Sequence, residues 1–206
     1  MGNSAVYRIH TGDDLAEAFA MARRLAAVAP PCCQPEVGAS VTTGSHDLDR
    51  FADVDGMVCV QFPDARAATV LTPLLPPDEL PIPRRDDGGV RVGTRLTPGL
   101  RAALRELPPV PAEFTAYDQP LPSPLPDTIL ALAGPEPATI SWLTHWPGVH
   151  HESGFELSVN GAELWHRPPH PGHNLYVHVP PEMPELAAHL AALAGGAVLD
   201  GPVLGW

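Results

Sequence analysis

The sequence predicts an α+β fold: antiparallel sheet, two or three helices packed on one side, and Pro-rich loops between them. Three observations lead there. The C-terminal part reads as a run of strands followed by a helix, the order of an antiparallel α+β arrangement. One N-terminal stretch has clear helical periodicity between two strand patterns. Proline (27) and glycine (18) are so frequent among the 206 residues that short strands, two or three helices and much ordered loop are expected.

Taken in order, "AVYRIH" alternates as a first strand. "TGDDLAEAFAMARRLAAVAP" follows, with Leu15, Ala18, Phe19, Ala22, Leu25, Ala26 and Ala29 on one helical face. Thr11 or Asp13 is the expected cap, and Pro30-Pro31 the stop. "EVGASVTTG" alternates as a half-buried strand, and "GMVCVQF" is an apolar run of strand length, expected to pair as a hairpin with "AATVLTPLL". After a Pro- and charge-rich loop come a short strand, "VRVG", and a helix with Thr97 as cap, Pro98 in its first turn, and Leu100, Ala103, Leu104 and Leu107 as its stripe. Residues 108–126 hold seven prolines and read as a semi-rigid connection between halves 1–107 and 127–206 of one compact unit. "DTILALAG" suggests one or two helical turns capped by Asp127. "ATISWLTHW" alternates, and "GFELSV-NG-AELWHR" predicts a hairpin turning at Asn160-Gly161. "NLYVHV" places Leu175, Val177 and Val179 on one face, Tyr176 and His178 on the other. A helix closed by a Gly cap and a short final strand complete the chain.

Composition limits function. Leu, Ile, Val and Phe total 50, enough for a packed core. No apolar run reaches the roughly 18 residues that span a bilayer, and the N-terminus lacks the pattern of a signal peptide. Val6 breaks the myristoylation pattern. The expected location is cytoplasmic, which three cysteines fit: Cys59 inside a strand as a small hydrophobe, Cys32-Cys33 as loop thiols. All twelve basic residues are arginine, so lysine Schiff bases and Walker A loops are excluded. Residues 108–206 carry ten carboxylates, one arginine and eight of the ten histidines. That balance argues against nucleic acid and for a cationic protein partner.

Motifs are sparse. "HDLDRFADVDG" falls short of an EF-hand because Phe51 breaks its acidic series, and Asp53-Val54-Asp55 reads as a solvated turn. G-x-S-x-G and HExxH are absent. The richest stretch is "HWPGVHHESGFELSVNGAELWHRPPHPGH", residues 145–173. Its reading divides in two. As a partner surface, Trp146, Glu152, Glu156, Glu163 and Trp165 supply aromatic anchors and carboxylates, with no cofactor. This is the profile of a non-catalytic acidic immunity or inhibitor protein that neutralises a basic partner, an analogy of size and charge only. As a metal site, His145, His150, His151, His166 and His170 would supply ligands for a divalent ion such as zinc, with Glu152 as base of a hydrolase. Histidine titration adds the expectation of pH-responsive behaviour.

Overall fold

The computed structural model describes residues 4–30, 33–64, 66–79, 81–83, 89–117, 123–146, 153–164 and 168–205. The strands are β1 (Ala5–Gly12), β2 (Gln34–Thr42), β3 (Met57–Phe62), β4 (Ile82–Pro83), β5 (Val90–Arg95), β6 (Pro111–Tyr117), β7 (Ala138–Thr144), β8 (Ser153–Val159), β9 (His173–Val179) and β10 (Asp200–Leu204). The helices are α1 (Leu15–Val28), α2 (Arg66–Leu71), α3 (Pro98–Arg105), α4 (Leu125–Ala133) and α5 (Pro184–Ala194). Every described strand pairing is antiparallel. The α+β class therefore holds, with five α-helices where two or three were expected and more strand than the sequence suggested. Contacts divide the chain into two units: Met1–Val37, Tyr117–Leu130 and Pro137–Trp206 form the first, Gly38–Ala116 and Ala131–Glu136 the second. Among the described residues no helix is long and apolar enough to cross a membrane.

In the first unit the strand order is β10-β1-β9-β8-β7. Register sets what each face carries. Trp142 lies opposite Phe155 and Ile140 opposite Leu157, while Phe155 and Leu157 face Val177 and Leu175 on β9. This apolar face includes the Trp142–Phe155 stack, ring centroids 4.7 Å apart. Helices α1 and α5 lie against β8 and β9, and α1 buries Ala18, Met21, Ala22 and Leu25. On β8 and β9 the alternate positions, Glu156, Tyr176 and His178, form a face that is also covered, because every residue of these two strands is buried, while Ser141 beside them on β7 is half-buried. Leu164 packs there on Val6 and Tyr176, with Val203 alongside.

Several local expectations give way to tertiary context. The α1 cap is Asp14, whose Oδ1 accepts from Ala16 N (2.8 Å) and Glu17 N (3.2 Å). Thr11 cannot serve, since it pairs with Asn174 inside β1. Asn160 (φ 53°) and Gly161 (φ 70°) do form the expected turn, closed by the Ala162 N–H to Val159 carbonyl bond. The segment after the turn does not pair with β8, however. Both edges of β8 are taken by β7 and β9, so Leu164 goes to the sheet face instead.

In the second unit β6, β3, β5 and β4 are consecutive. "AATVLTPLL", expected as a strand, is α2 followed by a 3-10 turn at Thr72–Leu74. Asp64 Oδ1 accepts from Arg66 N at 2.8 Å, which starts the helix, and Ala67 and Leu71 bury at i,i+4 spacing. No place remained for a strand there, because β5 and β6 occupy the two edges of β3. The proline-rich stretch contains β6, in which Ala112, Phe114 and Ala116 point inward. Thr97 caps α3 as expected, accepting from Leu100 N at 3.2 Å. Ser123, not Asp127, bonds the start of α4, through Leu125 N at 3.0 Å.

Candidate functional site

Polar chemistry or open space gathers at several places among the described residues. The first is on the covered polar face of β8 and β9. Neighbouring strands put Glu156 and His178 diagonally across one another, and both side chains are buried. His178 Nε2 lies 3.4 Å from Glu156 Oε2, while Glu156 Oε1 accepts from Ser141 Oγ at 3.0 Å. On the far side, Ser4 Oγ is 3.1 Å from His178 Nδ1. A carboxylate beside Nε2 favours the proton there, leaving Nδ1 to accept from the serine hydroxyl.

Hydroxyl, imidazole and carboxylate in that order are the components of a nucleophilic triad. Here they are enclosed. His178 has no exposed area and Ser4 only 3 %. Gly205 presses on both: an added Cβ would stand 2.3 Å from Ser4 Oγ and 2.9 Å from His178 Nδ1. The Gly205 N–H donates to the Ser4 carbonyl at 2.8 Å, so the C-terminal segment closes the row. The row is a structural clamp joining β1, β8, β9 and the chain end.

The second place is the start of β9. His173 Nδ1 accepts from Asn160 N at 3.2 Å. Burial pushes the His173 imidazole below the ordinary histidine range, against the opposing pull of Asp13 and Asp14. Asn174 Nδ2 donates to the carbonyls of His170 (3.1 Å) and Pro171 (3.2 Å), tying the preceding loop to the sheet.

The third is a cleft of about 430 Å³ beside α1, the start of α4 and β7. Phe19, Ala26, Ala27, Pro126 and Trp142 give it an apolar lining. At its rim Arg23 pairs with Asp127, and the Arg23 guanidinium sits 4.6 Å from the Phe19 ring centroid. A separate hollow of about 330 Å³ lies in the second unit between Phe62, Val70 and Leu107.

Of the residues singled out from the sequence, the structure describes Trp146, Glu156, Glu163, His145 and His170. Trp146 is buried against Phe155, centroids 6.0 Å apart, and Glu156 is in the clamp, so neither is placed to touch a partner. Glu163 is exposed. His145 is exposed and His170 half-buried. Glu152, Trp165, His150, His151 and His166 lie outside the described residues. Among the described residues no three His, Cys, Asp or Glu side chains are grouped to hold a metal ion.

Other polar groups are engaged locally. Cys59 is half-buried rather than core, and its Sγ accepts from Arg91 Nε at 3.1 Å. Asp55 pairs with Arg95 (Nε to Oδ1, 2.7 Å). The His46 hydrogen bond, with Arg105 beside it, holds the Asp49 carboxyl below the usual carboxylate range. The sequence held part of the signal for the clamp: "GFELSV" and "NLYVHV" place Glu156 and His178 each on the more polar side of its own strand. The cleft had no such signal, since it joins positions about a hundred residues apart. No protein-family model, curated protein or solved structure matches the chain.

Proposed function

We propose that the chain is a non-catalytic acidic binding protein of the cytoplasm, of the immunity or inhibitor type, which neutralises a basic protein partner. The observation that supports it most is the state of the charges in the first unit. That unit carries twelve carboxylates against four arginines. Its three described arginines are all engaged internally: Arg8 with Asp200 (2.5 Å), Arg23 with Asp127, and Arg24 Nε with the Ala194 carbonyl (2.7 Å). Asp13, Asp14, Glu17, Glu163, Glu182 and Glu185 are meanwhile exposed. Such a surface projects a field of one sign, which steers cationic partners and speeds encounter. The one hydroxyl–imidazole–carboxylate row described is sealed from substrate, which further favours binding over catalysis.

The test is capture of proteins from the native cell extract by the immobilised chain at low salt. The captured protein is then purified and titrated calorimetrically. The expected result is a one-to-one complex with a basic protein whose affinity falls as salt rises. Recovery of nothing above a charge-matched acidic control, or of a partner that binds independently of salt, rejects the proposal.

A further inference from the structure

The α1–α4 cleft has the size and chemistry of an anchor pocket. Its volume of about 430 Å³ is within the range of ligand-holding clefts. On α1, Phe19, Arg23, Ala26 and Ala27 fall at i, i+4, i+7 and i+8, one helical stripe. The two alanines leave space that larger side chains would fill, and Trp142 supplies an aromatic wall. The rim is charged. Arg23 is committed twice, to Asp127 and to the Phe19 ring. Asp127 uses Oδ1 for Arg23, and a carboxylate has further acceptor sites for a second guanidinium or ammonium. Both rim side chains are more than half exposed, at 60 % and 53 %.

We infer that this cleft receives an apolar side chain of the cationic partner, flanked in the partner by an arginine or lysine that reaches Asp127. The inference rests on the partner-binding reading above. Charge complementarity selects the occupant: the surrounding unit has an eight-charge excess of carboxylate, so an anionic ligand is repelled and a basic segment attracted. The apolar lining then discriminates among basic segments, because only one carrying a large apolar side chain gains by burying it.

Two peptides test it on the full chain: acetyl-Gly-Arg-Phe-Arg-Gly-amide, and the same peptide with alanine for phenylalanine. The readouts are the NMR resonances of the Trp142 indole and of the Ala26 and Ala27 amides. The phenylalanine peptide shifts these resonances saturably, and the alanine peptide binds at least about tenfold more weakly. Ala27→Trp, at an exposed α1 position, abolishes that difference by filling the cleft. Asp127→Asn weakens both peptides and flattens their salt dependence. Equal affinity of the two peptides, shifts confined to other surfaces, or no binding at low salt overturns the inference. Equal binding with shifts at Asp13, Glu17, Glu182 and Glu185 removes the cleft while leaving the cationic-partner reading intact. That reading stands or falls on the capture experiment, which does not depend on the cleft.

Discussion

Glu156 shows how burial changes the meaning of a residue. On an exposed hairpin it would be one more carboxylate for a partner. Inside the sheet it is 5 % exposed and faces His178 and Ser141. Removing the Glu156 carboxylate leaves the buried His178 Nε2–H and the Ser141 hydroxyl without their acceptor. Glu156→Ala is therefore expected to destabilise the protein by about 1–3 kcal/mol in urea unfolding. Glu163→Ala, on the surface, should stay within about 0.5 kcal/mol of the parent. Comparable losses at the two positions would contradict the clamp. Alternation put Glu156 and His178 each on the more polar side of its own strand, but the expected neighbour of strand 153–159 was the segment after Asn160-Gly161, so that the two residues meet was not legible. Their burial was not legible, since it depends on Leu164 and the C-terminal Gly205 arriving from elsewhere.

At the scale of elements, the turn after β8 is tied to the start of β9 by the Gly161 N–H to Gly172 carbonyl bond and by a histidine. Nδ1 of His173 can accept the Asn160 N–H only while the imidazole is neutral. Burial lowers its folded-state pKa below the ordinary value of 6.5, although Asp13 and Asp14 partly counteract this and His10 adds to it. A histidine with a depressed folded pKa contributes stability that is fully present above the unfolded value and lost as pH falls through the folded one. The expected outcome is a urea midpoint that declines below about pH 6.5, less steeply in His173→Gln than in the parent. Parallel profiles for the two proteins would show that His173 carries none of the dependence. The same scale explains the strand expected at "AATVLTPLL". Its β-branched Thr69 and Val70 favour a strand, yet β3 had no free edge, and the Asp64 cap favoured α2.

Across the whole molecule, a net charge of −12 opposes compaction. Raising salt from about 0.01 M to about 0.15 M shortens the Debye length from about 30 Å to about 8 Å. The melting temperature of the isolated protein is expected to rise over that interval, while its affinity for a basic partner falls. A melting temperature that drops with salt would mean that attractive pairs such as Arg8–Asp200 outweigh the repulsion. The opposite responses of stability and binding separate self-repulsion from complementarity, although both arise from the same carboxylates.

The sequence by itself determined the α+β class, the α1 and α3 helices, the Asn160-Gly161 turn, the Gly195 cap of α5 and the sign of the surface charge. Each of these depends on neighbours within a few residues or on composition alone. Tertiary structure decided which strand edges were already taken, so that α2 is a helix and residues 162–164 leave β8. It also took Trp146 and Glu156 into the interior and brought Phe19 and Arg23 to Asp127 and Trp142. Edge occupancy, burial and long-range juxtaposition are properties of the assembled sheet and its packed helices, and no local pattern of residues encodes them.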